Sequence, residues 1–384
     1  MASEWKTELL GNLCLMKNGY AFKSKDFVSQ GIPVIKIKNV KPNRILVDDL
    51  SYVPVDVAEQ RKKWLIEKGE ILLTMTGNRA DGSPESWVGK AAIFNENTPY
   101  LLNQRVSALK AKDENIIDTN YLGYYLSSWQ TQLYFIKRAN SSGGQANISP
   151  EIVMNMPIHY PPLTTQKKIV SILAALDQKI KINAAINDNL QQQAFTLFEN
   201  MFKGMFSSDT GRVGDHIVPK RGKSLLSKNA IAGDVPVVAG GLEASTYHNT
   251  ANTVPPVITI SASGANAGFV NLWSIPVWSS DSTFIDATMT DAVYFWFVLL
   301  KKRQQEIYDA QTGSAQPHIY PQHIANLPLG ELTNSKISEY QTMVSPFFAT
   351  IGSNIEENAR LAAIRDALLP RLMSGEIDVS AIDD

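Results

Sequence analysis

The 384-residue sequence predicts an α+β protein: two mixed, strand-rich domains separated by two long helices that form an antiparallel coiled coil, with a pseudo-twofold internal repeat. Three observations predict it. The segment Gln145-Ala-Asn-Ile-Ser-Pro-Glu-Ile-Val-Met-Asn-Met-Pro157 returns further along as Gln316-Pro-His-Ile-Tyr-Pro-Gln-His-Ile-Ala-Asn-Leu-Pro328, and that one register holds without a gap from Thr119/Thr290 to Gly204/Gly375. Each copy opens on short runs that alternate near period two, as strands do. Each copy closes on an apolar stripe stepping by four and three, as a paired helix does.

In chain order the expected parts are a mixed domain over residues 1–158, a long helix over 159–206, a second mixed domain over 207–330, and a second long helix with a tail over 331–384. In the first mixed domain, Ile32-Pro-Val-Ile-Lys-Ile-Lys-Asn-Val40 alternates apolar and basic residues and is expected to be one half-exposed strand. Ile71-Leu-Leu-Thr-Met-Thr-Gly77 is expected to be a short buried strand ending in a glycine turn. The second domain answers with Val235–Gly241 and Val257–Gly264. Matching landmarks draw closer along the chain: Gly19 and Gly222 lie 203 apart, Gly77 and Gly264 lie 187 apart, and Gln145 and Gln316 lie 171 apart. The second mixed domain is therefore the shorter one, with the loss mainly in loops. Loops carried on a constant scaffold are where recognition usually sits.

The first helical seam runs through Ile169, Leu173, Leu176, Ile180, Asn183, Asn187, Leu190, Ala194, Leu197 and Met201; the second runs through the matching positions of the repeat, from Tyr340 to Leu372. Both are interrupted at the middle by the same amide pair, Asn183/Asn187 and Asn354/Asn358. Buried amides cost stability and set register, because a slip leaves them against hydrocarbon. The competing reading is that they lie just off the seam in water. A twofold axis crossing the pair makes the helices antiparallel and sends the mixed domains to opposite ends of a rod of roughly 55 Å. That exceeds one DNA turn of roughly 34 Å. A target with two short halves and an unread gap suits such symmetry, and duplex DNA is the commonest one.

Bulk composition narrows the class. A hydrophobic fraction of 44% with 19% charged residues is that of a globular chain. The single cysteine, Cys14, excludes an intrachain disulfide and a cysteine-based zinc site, and suggests a reducing cytoplasm. No charged-then-apolar leader is evident, and the longest apolar run, Ala292–Leu300, is far short of the roughly 20 residues that span a bilayer. No membrane role is expected. The net charge is −1, yet residues 1–63 hold 11 Lys/Arg against 7 Asp/Glu, and residues 212–228 hold five against Asp215 alone. Basic character gathers at the start of each copy, where phosphates are best met.

At this point the residues resemble the specificity subunits of type I restriction-modification systems. Gly19-Tyr-Ala-Phe-Lys-Ser-Lys-Asp-Phe27, Gly31-Ile-Pro-Val-Ile-Lys-Ile-Lys-Asn39, Gly69-Glu-Ile-Leu-Leu-Thr-Met-Thr-Gly77 and Asn103-Gln-Arg-Val106 resemble segments of that family's target recognition domains. Pro161-Pro-Leu-Thr-Thr-Gln-Lys-Lys-Ile169 resembles the entry to its first conserved helix, with Thr165 where an acidic residue is usual. The resemblance covers essentially the whole chain. It implies a two-headed reader of double-stranded DNA that is not itself catalytic. It further implies two methyltransferase subunits, which bind S-adenosylmethionine and methylate adenine, and restriction/translocase subunits that use ATP and Mg. No cofactor is expected on this chain.

A search for chemistry in the residues agrees with that division. The double prolines read Tyr160-Pro-Pro-Leu163 and Val254-Pro-Pro-Val257, and neither offers the polar group and stacking ring that an adenine methyltransferase needs. Gly222-Lys223-Ser224 has the tail of a phosphate-binding loop, but Ile217 stands where its first glycine belongs. Asp48-Asp49 and Glu356-Glu357 are adjacent pairs that point apart, and the five histidines are scattered, so no metal site is expected.

The expected DNA contacts are side chains that pair with base edges, and small residues that admit a phosphate closely. In the first head these are Lys23, Lys36, Lys38, Asn39, Asn78, Arg79, Arg105, and the loop residues Ser141, Ser142, Gly143, Gln145 and Asn147. In the second they are Lys220, Arg221, Lys223, Tyr247, Asn266, Thr312, Gln316 and His318. For Gln145 and Gln316 a loop-holding hydrogen bond competes. The alternatives are a self-contained DNA-modifying enzyme, or a coiled-coil scaffold with no DNA role.

Overall fold

A computed structural model of the chain describes residues 5–78, 86–97, 99–142, 145–204, 210–313 and 316–379. Compactness divides it into two units, residues 1–178 with 361–384, and residues 179–360. The cut falls inside both long helices, Leu163–Met201 and Asn334–Met373, so each strand-rich part takes a stretch of each helix into its own core.

The first unit is built on an antiparallel sheet in the order Cys14–Asn18, Val106–Ala111, Ile71–Thr74, Ala91–Ile93. Ile71–Thr74 is buried on both faces, and its period of two sorts the side chains: Ile71 and Leu73 join a core with Leu109 and Tyr121, while Leu72 joins another with Ala92 and Ala108. Helix Thr119–Ser127 starts where the Asp118 carboxylate accepts from the Tyr121 N–H at 2.9 Å. Ile169 and Leu173 of the first long helix and Leu369 and Leu372 of the second enter the same core. The Asp177 carboxylate closes that end of the helix pair, accepting from Arg365 Nη1 and from the Tyr124 hydroxyl, both at 2.7 Å.

The second unit repeats the plan, with strands ordered Lys220–Arg221, Ser282–Asp286, Val257–Ser261, Val270–Trp273. The apolar run around Ala292–Leu300 is the helix Val293–Lys302, which buries Val293 and Phe295–Leu300 against Phe198, Phe202 and Tyr340 of the long helices and their flanks. Among the described residues no helix is long and apolar enough to cross a membrane. Within this unit Asn183 pairs with Asn358, Asn187 with Asn354, and Ala194 with Tyr340, so one helix advances as the other retreats: they are antiparallel. Asn183 is fully buried; its Nδ2 donates to Asn358 Oδ1 at 2.9 Å and to Glu357 Oε2 at 2.7 Å. Asn354 Nδ2 donates to Asn187 Oδ1 at 2.8 Å, and Asn358 Nδ2 to the Ile180 carbonyl at 3.3 Å. The amides lie in the seam.

The spacings between matching landmarks reappear as hydrogen bonds. Gly19 N–H donates to the Val106 carbonyl as Gly222 N–H donates to that of Ser282; Met75 N–H donates to Arg105 as Ala262 N–H donates to Asp281; Ile148 N–H donates to Met75 as Ile319 N–H donates to Ala262. The glycines are needed at the first of these. A Cβ on Gly19 would sit 2.0 Å from the Asn103 carbonyl oxygen, and one on Gly222 would sit 2.5 Å from that of Ser279.

Four strand expectations are corrected. Ile32–Val40 is not one strand: Ile32–Ile35 is a strand, residues Ile37–Asn39 turn as a 3-10 helix, and Val40 starts a separate short strand, Val40–Lys41. The cause is Asn39, whose Oδ1 accepts from the Lys36 N–H at 3.0 Å while its Nδ2 donates to the carbonyls of Leu46 and Asp49. Ile71–Gly77 breaks at Met75, and Thr76–Gly77 joins a different sheet, beside Gln145–Asn147. The strand of Val235–Gly241 ends at Val238, and that of Val257–Gly264 at Ser261.

Candidate nucleic-acid interface

In the first unit the chain ends one sheet and starts another at a single place. Thr76–Gly77 pairs with Gln145–Asn147, which pairs with Asn140–Ser142, the strand that carries Ser141 and Ser142. Arg105 comes in just before strand Val106–Ala111. Its Nη1 donates to Thr76 Oγ1 at 3.2 Å and to Gln145 Oε1 at 3.5 Å, and Thr76 Oγ1 donates to Asn147 Oδ1 at 2.8 Å. Thr76, Arg105 and Gln145 line an open cleft with Lys36 and Asn103, walled by Phe27. The Lys36 ammonium lies 3.7 Å from the centre of the Phe27 ring. Its pKa is held below the usual lysine value by desolvation first and by the Lys38 charge next, with Asp49 opposing.

The expected contacts of this head separate under the geometry. Lys36, Arg105, Gln145 and Asn147 come together. Lys38 is exposed and paired with Asp49 at 2.6 Å; Lys23 is exposed; Asn78 is exposed and donates to Ser86 Oγ at 3.1 Å. Asn39 is a correction: it is 1% exposed and holds the turn described above, so it faces no ligand. Arg79 and Gly143 lie outside the described residues. Cys14 is buried, and burial pushes its thiol up to about 12, an unreactive form.

In the second unit Lys220 and Arg221 form the edge strand, both exposed. Arg221 Nη2 donates to Asp281 Oδ1 at 2.6 Å, and the Ser263 hydroxyl donates to Asp281 Oδ2. Lys223 is exposed, with its carbonyl accepting from Trp278 Nε1 at 2.8 Å. Tyr247 is 55% exposed on strand Thr246–His248. Asn266 is half-buried in the turn after Ser263. Thr312 and His318 exchange both main-chain hydrogen bonds around a loop that contains exposed Gln316, and the His318 ring stacks on Tyr320.

The shared hydrogen bonds place the two heads in register, residue by residue. Thr76 corresponds to Ser263, Gln145 to Gln316, and Asn147 to His318, which bridges Ser263 as Asn147 pairs with Thr76. Strand pairing sets Ser107 opposite Asn18 and Thr283 opposite Arg221, so Asn18 corresponds to Arg221 and Arg105 to Asp281. Lys36 corresponds to Ala239, from the register Leu102↔Ile35 and Ser279↔Val238. Thr76, Ser263 and Asp281 were not among the residues expected from sequence. Asn103-Gln-Arg-Val106 corresponds to Ser280-Asp-Ser282, which has one residue fewer and no identity, so only the backbone hydrogen bonds reveal the match.

Comparison with known proteins follows the same lines. Residues 2–192, about half of the chain, match the family model described as type I restriction modification DNA specificity domain. The HindI type I restriction enzyme specificity subunit of Haemophilus influenzae is 29% identical over 208 residues, covering 52% of this chain and 41% of that one. The MjaIX specificity subunit of Methanocaldococcus jannaschii is 24% identical over 360 residues, covering 83% and 80%. The chain spans about half the length of the first curated relatives it matches, 47% and 43% of two further Methanocaldococcus jannaschii specificity subunits. In fold it is similar to the crystal structure of the type I restriction-modification system S subunit from M. genitalium, with TM-score 0.57, 17% identity, and 97% and 96% of the two chains covered. With a repeated frame, paired strand-rich units and a matching family model in agreement, the chain belongs to the family of type I restriction-modification specificity subunits.

Proposed function

We propose that this chain reads a bipartite, asymmetric DNA sequence, one half per strand-rich unit, and is not itself a catalyst. One observation carries the reading: the same frame, hydrogen bond for hydrogen bond, presents unlike side chains at the same positions, the cations Lys36 and Arg105 in one unit and the methyl of Ala239 and the carboxylate of Asp281 in the other. A repeated reader with two different surfaces suits a target whose halves differ. Positioning would come from Lys23, Lys38, Lys220 and Lys223, which are exposed and suited to phosphates. The loops with Ser141, Ser142, Gln145, Thr312 and Gln316 lie beside the same groups and would follow the backbone.

The partners are two methyltransferase subunits and restriction/translocase subunits. S-adenosylmethionine belongs to the former, and ATP and Mg to the latter. The test is methyl transfer from S-adenosylmethionine to DNA. Purified chain alone is expected to transfer none, and the chain with its methyltransferase partner is expected to methylate adenines at one bipartite sequence. Turnover by the chain alone would refute the non-catalytic reading. Methylation without sequence preference would refute the reading of DNA.

A further inference from the structure

We infer that the Arg105/Asp281 position is a polarity selector: it makes the first unit read a base edge that accepts hydrogen bonds, guanine, and the second unit read one that donates, the amino group of cytosine or adenine. The inference rests on the DNA-reading proposal and says what each unit reads.

The geometry gives the two residues one station. Both immediately precede an inner strand of a four-stranded sheet, and both offer their main-chain carbonyl to the equivalent N–H, that of Met75 or Ala262. Both side chains lean on the equivalent hydroxyl, Thr76 Oγ1 or Ser263 Oγ. There the likeness stops. Arg105 is exposed, and only its Nη1 is engaged; among the described residues its Nε and Nη2 donate to nothing. Guanidinium N–H groups left in a fixed fork match the O6 and N7 acceptors of guanine. Thr76 and Gln145, by holding Nη1, orient the fork.

Asp281 offers the opposite chemistry from the same place. A carboxylate has about four acceptor sites. Arg221 takes one on Oδ1 and Ser263 takes one on Oδ2, which leaves acceptor capacity on a side chain 37% exposed. Held from both oxygens, it can receive the exocyclic amino hydrogens of cytosine N4 or adenine N6. An uncompensated carboxylate facing a polyanion would be repelled. Arg221 supplies the compensation, and it does so where the first unit has the neutral Asn18, which accepts from Ser107 Oγ at 2.9 Å. Where the first unit has Asn18 and Arg105 on adjacent strands, the second therefore has the Arg221 cation and the Asp281 anion.

The plain alternative is that Arg221–Asp281 is a strand-to-strand ion pair with no ligand. Enrichment of bound duplexes from a random pool, using the full chain with its methyltransferase partner, separates the two. Arg105→Gln should lower guanine preference at one position of one half-site by roughly 10-fold. Asp281→Asn, which keeps shape and can still bond to Ser263, should lower cytosine or adenine preference at one position of the other half-site by a similar factor. Each change should leave the opposite half-site as it was. Wild type that enriches no sequence sinks the DNA-reading proposal itself. Wild type with a clear bipartite preference that both variants retain overturns the polarity selector alone. The wild-type bases give a second readout that needs no variant to fold: a bipartite site with no G·C pair in either half also overturns it.

Discussion

The clearest energetic test lies in the helix pair of the first unit, where one repeat uses charges and the other uses hydrocarbon at the same place. Asp177 accepts from Arg365 and Tyr124, both at 2.7 Å; their counterparts in the other copy of the repeat are Phe348, Ala194 and Phe295, all buried. Tyr124 is 7% exposed, and the Arg365 side chain 15%. Removing one partner of a buried ion pair costs about 3–5 kcal/mol. Two features reduce that here. The Asp177 side chain is 32% exposed, and Arg365 keeps Asp366 at 2.8 Å. Asp177→Ala should therefore cost about 2–3 kcal/mol, including the Tyr124 hydroxyl left without its acceptor. In a unit of this size each kcal/mol moves the melting temperature by roughly 2–4 °C. The transition that reports this unit should fall by roughly 4–12 °C in differential scanning calorimetry. Installing the other repeat's solution, Tyr124→Phe with Asp177→Phe and Arg365→Ala, should restore most of the loss, because a buried charge cluster replaced by packed apolar groups is often neutral or better. A single-variant loss under about 0.5 kcal/mol would mean that water already screens the pair. A triple variant less stable than Asp177→Ala would refute the equivalence of the two sites.

Two further outcomes follow from burial. Asn39→Ala removes three hydrogen bonds that close residues 36–49, so hydrogen exchange there should rise and stability should drop by about 1–3 kcal/mol; unaltered exchange in that segment would contradict its assignment as the turn's clasp. Burial, first among the causes, pushes the Tyr121, Tyr124 and Tyr340 phenols up. Their folded pKa exceeds the unfolded value of about 10. Their stabilising contribution is therefore whole below about pH 10 and is lost as pH rises towards the folded values. Alkaline titration followed by ultraviolet absorbance should show these phenols ionising together with unfolding; their ionisation in the folded chain would refute the burial argument.

The repeat was legible because helical packing and glycine contacts constrain residue identity. Gly19 and Gly222 tolerate no Cβ, and Asn183/Asn187 and Asn354/Asn358 meet one another's amides along the seam, so the landmarks survived in both copies. The strand boundaries were less legible. Ile32–Val40 alternates correctly for a strand, but a side-chain amide at Asn39 bends it, and alternation is blind to such a local bond. The same blindness made Asn39 look like a base contact, since a polar side chain next to lysines reads identically whether it faces a ligand or its own main chain.

The site was hardest to read where it matters most, and the reason is physical. A strand end fixes the path of the main chain through hydrogen bonds that any residue supplies, so the frame places no demand on the side chain it presents. Gln145 lies on the strand that pairs with Thr76–Gly77, and Gln316 in the loop closed by Thr312 and His318, next to Ser263. Arg105 and Asp281 carry no such duty: their carbonyls bond to Met75 and Ala262 whatever the side chain is. Freedom from the frame is what lets a position invert its charge between copies, and it also erases the sequence signal by which the correspondence would be found. The residues that keep their identity across the repeat therefore hold the fold, and the strand-end residues that lose it are where the difference between the two halves of a target must be sought.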